Sequence, residues 1–141
     1  MDGVDDALAQ VRESGGRVTS AKRAVVTVVS NNADAHLTAE QIAEQVIRRL
    51  PDTHLSTVYR ILHDLEELEI VRHVHLGHGP STYHLAADRH HHAVCDQCGA
   101  VTELPTDLFD GVAARVRSEH GFELDVPHFA LGGHCRACAA A

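Results

Sequence analysis

The donors with the most specific spacing in this sequence are four cysteines in two pairs, Cys95-x-x-Cys98 followed by Gly99, and Cys135-x-x-Cys138. Each pair turns two thiolates toward one point, and two such knuckles complete a closed tetrahedral sulfur site of the structural zinc kind. The competing chemistry, a redox dithiol, needs only one pair and usually a helix N-terminus to activate it. Nitrogen donors come next, because the chain holds 13 His, three of them in the run His90-His91-His92. Side chains alternate along a strand, so His90 and His92 share one face while His91 takes the other. Two imidazoles on one face can share a metal, and the plainer alternative is three partly exposed loop histidines. His73 and His75 share a face in the same way, with His84 in the next strand-like run. Taken singly, His36, His54, His63, His78 and His120 read as solvent-exposed or capping residues.

A second chemistry is suggested by the cations. Arg12, Arg17, Lys22 and Arg23 cluster around a single acid, Glu13, while Arg48, Arg49 and Arg60 surround only Asp52. Counterion release from nucleic acid needs local rather than global positive charge, although a charge run is as readily a solvated face. Ser56, Thr57, Tyr59 and Arg60 add donors able to reach phosphates and base edges. Catalytic motifs are missing: there is no Gly-rich phosphate loop, no Gly-x-Ser-x-Gly and no His-Glu-x-x-His. The reading is therefore not an enzyme. A metalloenzyme with Glu103 as base is the rival from that class, and a His-rich metal-storage protein is the other.

The elements that must position these donors fall into two sets. Residues from about 4 to 14 are amphipathic and break at Gly15-Gly16, and a second helix runs from about Ser20 to Ser30 with Ala24, Val25, Val28 and Val29 on one face. Thr38 and Gln41 have capping-box spacing and open a helix whose apolar positions Ile42, Val46 and Leu50 stop at Pro51. Ser56 is the next cap expected. From there Val58, Ile61, Leu62, Leu65 and Leu68 form one buried stripe, leaving Thr57, Arg60 and Asp64 on the solvent side. The period then changes to a hairpin, Ile70 to Leu76 and Ser81 to Leu85 around Gly77-His78-Gly79-Pro80. Helices followed by a hairpin predict a winged helix-turn-helix whose last helix enters the major groove. After a joint at Ala86-Ala87-Asp88-Arg89, strands at His90 to Cys95 and Ala100 to Leu104, a helix from Thr106 to His120 carrying Leu108, Val112 and Val116, and a strand-like run from Phe122 to Leu131 make a small α/β unit. The expected fold class is thus α/β, with residues 1–86 as a DNA-binding domain and 87–141 as a metal-binding domain stapled by the Cys pairs.

The bulk composition bounds this reading. With 141 residues, two small domains would each be marginal and would want a metal or a partner. Acids outnumber Lys plus Arg by 20 to 12, a net charge of −8, which excludes a generic polycation but not a basic face. No run approaches the ~18–20 apolar residues needed to span a bilayer, and the acidic start MDGVDDALAQ is unlike a signal peptide. No membrane partner is expected. A cytoplasmic location follows, where thiols stay reduced and four Cys read as a metal site before disulfides.

Gly16-Arg17-Val18-Thr19, Ser56-Thr57-Val58-Tyr59-Arg60, the run from His90 through Cys98-Gly99, His120-Gly121-Phe122 and the terminal Cys pair together resemble the ferric uptake regulator family over nearly the whole chain. The resemblance implies an N-terminal winged helix, a C-terminal dimerisation domain, a homodimer, and repression by binding operator DNA when a regulatory divalent metal is bound, without a small-molecule substrate. By motif it implies structural Zn²⁺ on Cys95, Cys98, Cys135 and Cys138, and a hinge site of His36, His84, His90, His92 and Glu103, with His84 in a place usually held by an acid. DNA contacts are implied at Arg17, Lys22, Arg23, Ser56, Thr57, Tyr59 and Arg60. A further site in many members maps onto Arg89, His91, Asp110 and His128, and Arg89 cannot coordinate metal. The wing, with His73, His75 and His128, is similar to the nickel uptake regulator branch, although the run between the triple His and Cys95 is shorter than that branch shows. The resemblance thus favours nickel, and the nitrogen-rich donor set suits nickel, zinc or iron(II). Peroxide sensing through iron is a further family behaviour.

Overall fold

The computed structural model describes residues 3–32, 35–75, 80–87, 91–124 and 130–140. The chain divides into two compact units, Met1–His73 with Ser81–Asp88, and Val74–Pro80 with Arg89–Ala141. Four helices come first, α1 (Gly3–Glu13), α2 (Ser20–Asn31), α3 (Ala39–Arg49) and α4 (Leu55–Glu67), followed by strands β1 (Val71–His75) and β2 (Ser81–Leu85), which pair as a two-stranded sheet. One apolar cluster joins these helices, including Leu8, Val11, Val25, Val28, Ile42, Val46, Val58, Leu62 and Leu65. Val26, not expected on the buried face of α2, is fully enclosed, while Ala24 is only half-buried.

Helix ends follow local chemistry. Gly15, at φ +84°, and Gly16 close α1 through the paired bonds Gly15 N–H to Arg12 carbonyl (3.0 Å) and Gly16 N–H to Val11 carbonyl (2.9 Å), a Schellman motif. The expected capping box opens α3: the Thr38 hydroxyl accepts from the Gln41 N–H at 3.2 Å, and the Gln41 side chain accepts from the Thr38 N–H at 2.9 Å. Two expectations for α4 are corrected. Its N-cap is His54, with no side-chain cap bond, and Ser56 lies inside the first turn. Leu68 is exposed because the helix closes with a second Schellman motif, Glu69 N–H to Glu66 carbonyl and Ile70 N–H to Leu65 carbonyl, both 2.9 Å. Glu69 takes the left-handed position, φ +56°, and Ile70 is the residue that is buried.

The second unit contains β3 (His91–Cys95), β4 (Val101–Leu104), α5 (Asp110–His120), β5 (Ala130–Gly133) and a short α6 (Arg136–Ala139) that the periodicity did not suggest. Strand β3 is central, antiparallel to β4 and parallel to β5. Helix α5 starts four residues later than expected, at Asp110 rather than Thr106, after a turn at 106–109. Its apolar spacing is not a core stripe: Leu108 and Val112 are more than half exposed, and Ala113 alone in α5 is buried. Phe122 is also exposed and outside any strand. The turn at 76–79, and Arg89, His90 and His128, lie outside the described residues. No helix among the described residues is long and apolar enough to cross a membrane.

Candidate metal centres and nucleic-acid face

Pairing of β3 with β5 brings the two Cys motifs together. Cys95 lies opposite Gly133 in the parallel register, and the Asp96 N–H donates to the Gly133 carbonyl at 2.8 Å, so the chain leaves β5 beside the end of β3 and reaches Cys135 two residues later. The first knuckle closes through Gly99 N–H to the Cys95 carbonyl (2.9 Å) with Gly99 at φ +78°, a conformation that a side chain would strain. The Cys98 N–H points at the Cys95 sulfur, 3.5 Å away. Cys135 stands at the N-terminus of α6, with the Ala139 N–H returning to its carbonyl at 2.8 Å.

The four sulfurs lie within 4.8 Å of one another, and Cys98 Sγ to Cys135 Sγ is 3.7 Å. A disulfide bond is about 2.05 Å long, whereas the edge of a sulfur tetrahedron around zinc, with Zn–S about 2.3 Å, is about 3.8 Å. The donor set therefore fits a closed zinc site. Main-chain N–H groups, first that of Cys135 and then that of Cys98, pull the Cys95 thiol down to about 6. Hydrogen bonding to the Cys135 and Cys95 sulfurs pushes Cys138 up to about 12. Zinc takes cysteine as thiolate, so its binding would release the protons these thiols hold.

Within the His run, His91 and His92 lie in β3, and His90 is outside the described residues. His92 lies opposite Glu103 and His91 opposite Leu104, so the two adjacent histidines take opposite faces of the sheet. His92 and His91 are both buried and Glu103 is exposed. On its face His91 donates from Nε2 to the Thr106 carbonyl at 3.1 Å, since a carbonyl can only accept, and its ring stands nearly perpendicular to that of Phe109 with the centroids 4.8 Å apart. Asp110 begins α5 and is exposed.

In the first unit, the segment before α3 runs antiparallel to β2. The Tyr83 N–H donates to the Leu37 carbonyl at 2.9 Å and Thr38 bridges Thr82. His36 is left-handed, φ +51°, so the extended segment begins only after it, and His84 is buried. His73 Nδ1 hydrogen-bonds the Glu66 carboxylate and its ring lies 6.1 Å from that of Tyr83, neither partner being suggested by the spacing of the wing histidines. His75 is exposed at the end of β1.

Of the residues expected at DNA, Ser56, Tyr59 and Arg60 are exposed on α4, Thr57 is half-buried, Arg17 and Arg23 are exposed and Lys22 is intermediate. Leu55 was missed. It is exposed one turn before Tyr59, where an apolar side chain in contact with water adds a methyl surface beside the donors. Its exposure is what marks it, and the helical stripe read from Val58 onward does not include it.

Comparison with known proteins follows these features over the same span. The ferric uptake regulator family matches residues 13–130. A ferric uptake regulation protein of Bacillus subtilis is 34% identical over 139 residues, covering 96% of this chain and 93% of its own. The structure of the Helicobacter pylori ferric uptake regulator, described as having three functional metal-binding sites, shares the fold with a TM-score of 0.77 at 22% identity, covering 98% of this chain and 95% of that one. The Pseudomonas aeruginosa regulator, solved with manganese, gives 0.72 at 26% identity, over 91% and 96%. The chain belongs to the ferric uptake regulator family, whose members are metal- and DNA-binding transcription regulators rather than enzymes.

Proposed function

We propose that this protein is a cytoplasmic, metal-responsive repressor that binds operator DNA as a homodimer and controls genes of metal uptake or homeostasis. In this reading Cys95, Cys98, Cys135 and Cys138 hold structural zinc, and His36, His84, His90, His92 and Glu103 bind the regulatory ion. The observation that carries it is that the second unit sets two of these donors opposite each other, buried His92 and exposed Glu103 in the register of β3 and β4, while the first unit holds His84 buried on β2. Donors supplied by two separate units are what a hinge needs if binding of one ion is to fix a conformation. Domains at 1–86 and 87–141 follow, the first a winged helix reading DNA with α4 and the second pairing with its copy. Exposed Leu108, Val112, Phe122 and Leu131 support that pairing, since they are apolar surface with no core of their own to enter. A set of four imidazoles and one carboxylate suits nickel, zinc or iron(II), and nickel is favoured by the similarity of the wing histidines to the nickel uptake regulator branch. The set His73, His75, His91, Asp110 and His128 is the second regulatory site in this reading, altered by Arg89, which cannot coordinate a metal; the bonds from His73 Nδ1 to Glu66 and from His91 Nε2 to the Thr106 carbonyl are of the kind that orient a ligating imidazole.

Within this reading the protein's groups have separate tasks. The sulfurs staple β3 to the segment after β5, the imidazoles and Glu103 supply a coordination sphere, and α4 presents Leu55, Ser56, Tyr59 and Arg60 to the groove. Metal and DNA affinities must then be reciprocally coupled, by about 1–3 kcal/mol or roughly 5–150-fold. A gel shift on DNA upstream of the protein's own gene, run with nickel, zinc, iron(II) or manganese and with none, tests this. Retardation that requires one metal and disappears in His90→Ala/His92→Ala, with the zinc content intact, is the expected result. Unchanged metal dependence in that variant overturns the ligand assignment, and a stronger response to another ion overturns nickel.

A further inference from the structure

Three helices of the first unit each bring one arginine to the same groove: Arg12 from α1, Arg23 from α2 and Arg49 from α3 line a cavity of about 570 Å³ together with Thr19, Ser20 and Thr27. No acid lines it, in a protein of net charge −8. Among the described residues none of the three guanidinium groups is in an ion pair, whereas Arg115 and Arg117 are paired with Glu119 and Glu123. In sequence Arg12 and Arg23 belong to one basic cluster and Arg49 to another, so the convergence is a product of helix packing alone.

Three exposed guanidinium groups with no acid beside them give the groove a local positive potential in an acidic protein. Guanidinium groups present several N–H donors in a plane and match the oxygens of a phosphate better than they match a halide. The groove also lies at the start of α2, whose first turn carries no acidic side chain. Thr19 accepts from the Lys22 N–H at 3.1 Å and so keeps its own hydroxyl proton to donate. We propose that the Arg12–Arg23–Arg49 groove is a phosphate-binding site, taking either a backbone phosphodiester of DNA outside the contacts of α4 or the phosphate of a free small molecule. The site stands on its own geometry and does not depend on the regulatory-metal reading.

Two titrations on the full-length, zinc-loaded protein separate the sources. Calorimetry with inorganic phosphate and with ATP reads the free-ligand source. The slope of log K against log salt for a 20-base-pair duplex reads the DNA source. Arg12→Gln/Arg49→Gln is compared with Arg115→Gln/Arg117→Gln, which makes the same change in net charge away from the groove, and thermal melting confirms that both variants fold; Arg23→Gln repeats the test from the third helix. Saturable phosphate or ATP binding that weakens about tenfold or more only in the groove variants establishes a free-ligand site. Absence of that binding, with a duplex salt slope shallower by about one in the groove variants alone, establishes a backbone contact, as expected for one phosphate no longer neutralised. Groove variants that behave like the Arg115/Arg117 control in both titrations overturn the proposal. Loss of metal-dependent retardation in the wild type, with groove binding retained, would instead remove only the regulatory reading.

Discussion

The two units of this chain solve the stability problem by different means. The first buries Leu8, Val11, Val25, Ile42, Val58, Leu62 and Leu65 in one cluster across four helices, with Ile70, Val71 and Leu85 completing it from the hairpin. Between Arg89 and the C-terminus the buried apolar residues among those described are Val94, Cys95 and Ala113, next to two buried histidines. Hydrophobic burial is roughly proportional to apolar area removed from water, so the first unit has its own driving force and the second has little. What the second unit has is donors. Four sulfurs at the ends of β3 and β5, together with an apolar surface left outside, are what a domain needs if, as proposed, a metal and a partner complete it.

The largest expected break in this contrast is removal of the sulfur site. Cys135→Ser/Cys138→Ser should release the zinc and abolish cooperative unfolding of the second unit, while hydrogen exchange of α2 and α4 stays slow; equal loss of protection in both units would refute the division of labour. Leu62→Ala should act the other way. Truncating this enclosed side chain is expected to cost about 2–5 kcal/mol in urea unfolding of the first unit, with zinc content unchanged.

Intermediate effects sharpen the contrast at the surface and at the register pairs. Val112→Glu on the exposed side of α5 should leave the zinc in place and convert the dimer to monomer by analytical ultracentrifugation; a dimer of unchanged dissociation constant would move the interface elsewhere. His92→Ala should lower the coupling between regulatory metal and DNA by the 1–3 kcal/mol expected of it, read from duplex affinity with and without metal. The smallest change tests only helix closure. Glu69→Gly, at φ +56°, should stabilise the first unit by about 1 kcal/mol, because glycine adopts the left-handed position without the penalty a Cβ incurs.

Local rules carried much of this. The Thr38/Gln41 box, the break at Gly15-Gly16, the stripe Val58-Ile61-Leu62-Leu65 and the opposite faces of His91 and His92 all follow from interactions within a few residues or from strand alternation. The same rules misplaced Leu68, because a Schellman motif substitutes Ile70 for it, and misread α5, because helical spacing marks an apolar face without saying what covers it. Nothing in the wing's spacing reveals that His73 is held by Glu66, since that bond joins a strand to a helix.

The sequence by itself determined the chemistry: two thiol pairs of zinc-knuckle spacing, an imidazole run with a defined alternation, and a helix carrying hydroxyl, phenol and guanidinium donors. These are properties of residue type and short spacing, and the backbone geometry of strand and helix fixes them. Tertiary structure decided which groups meet. The parallel pairing of β3 with β5 joins Cys98 to Cys135 across 37 positions, the antiparallel pairing of β3 with β4 sets His92 opposite Glu103, and the packing of α1, α2 and α3 gathers three arginines into one groove. Convergence of that kind depends on long-range burial and pairing, which act between elements that no local pattern places side by side.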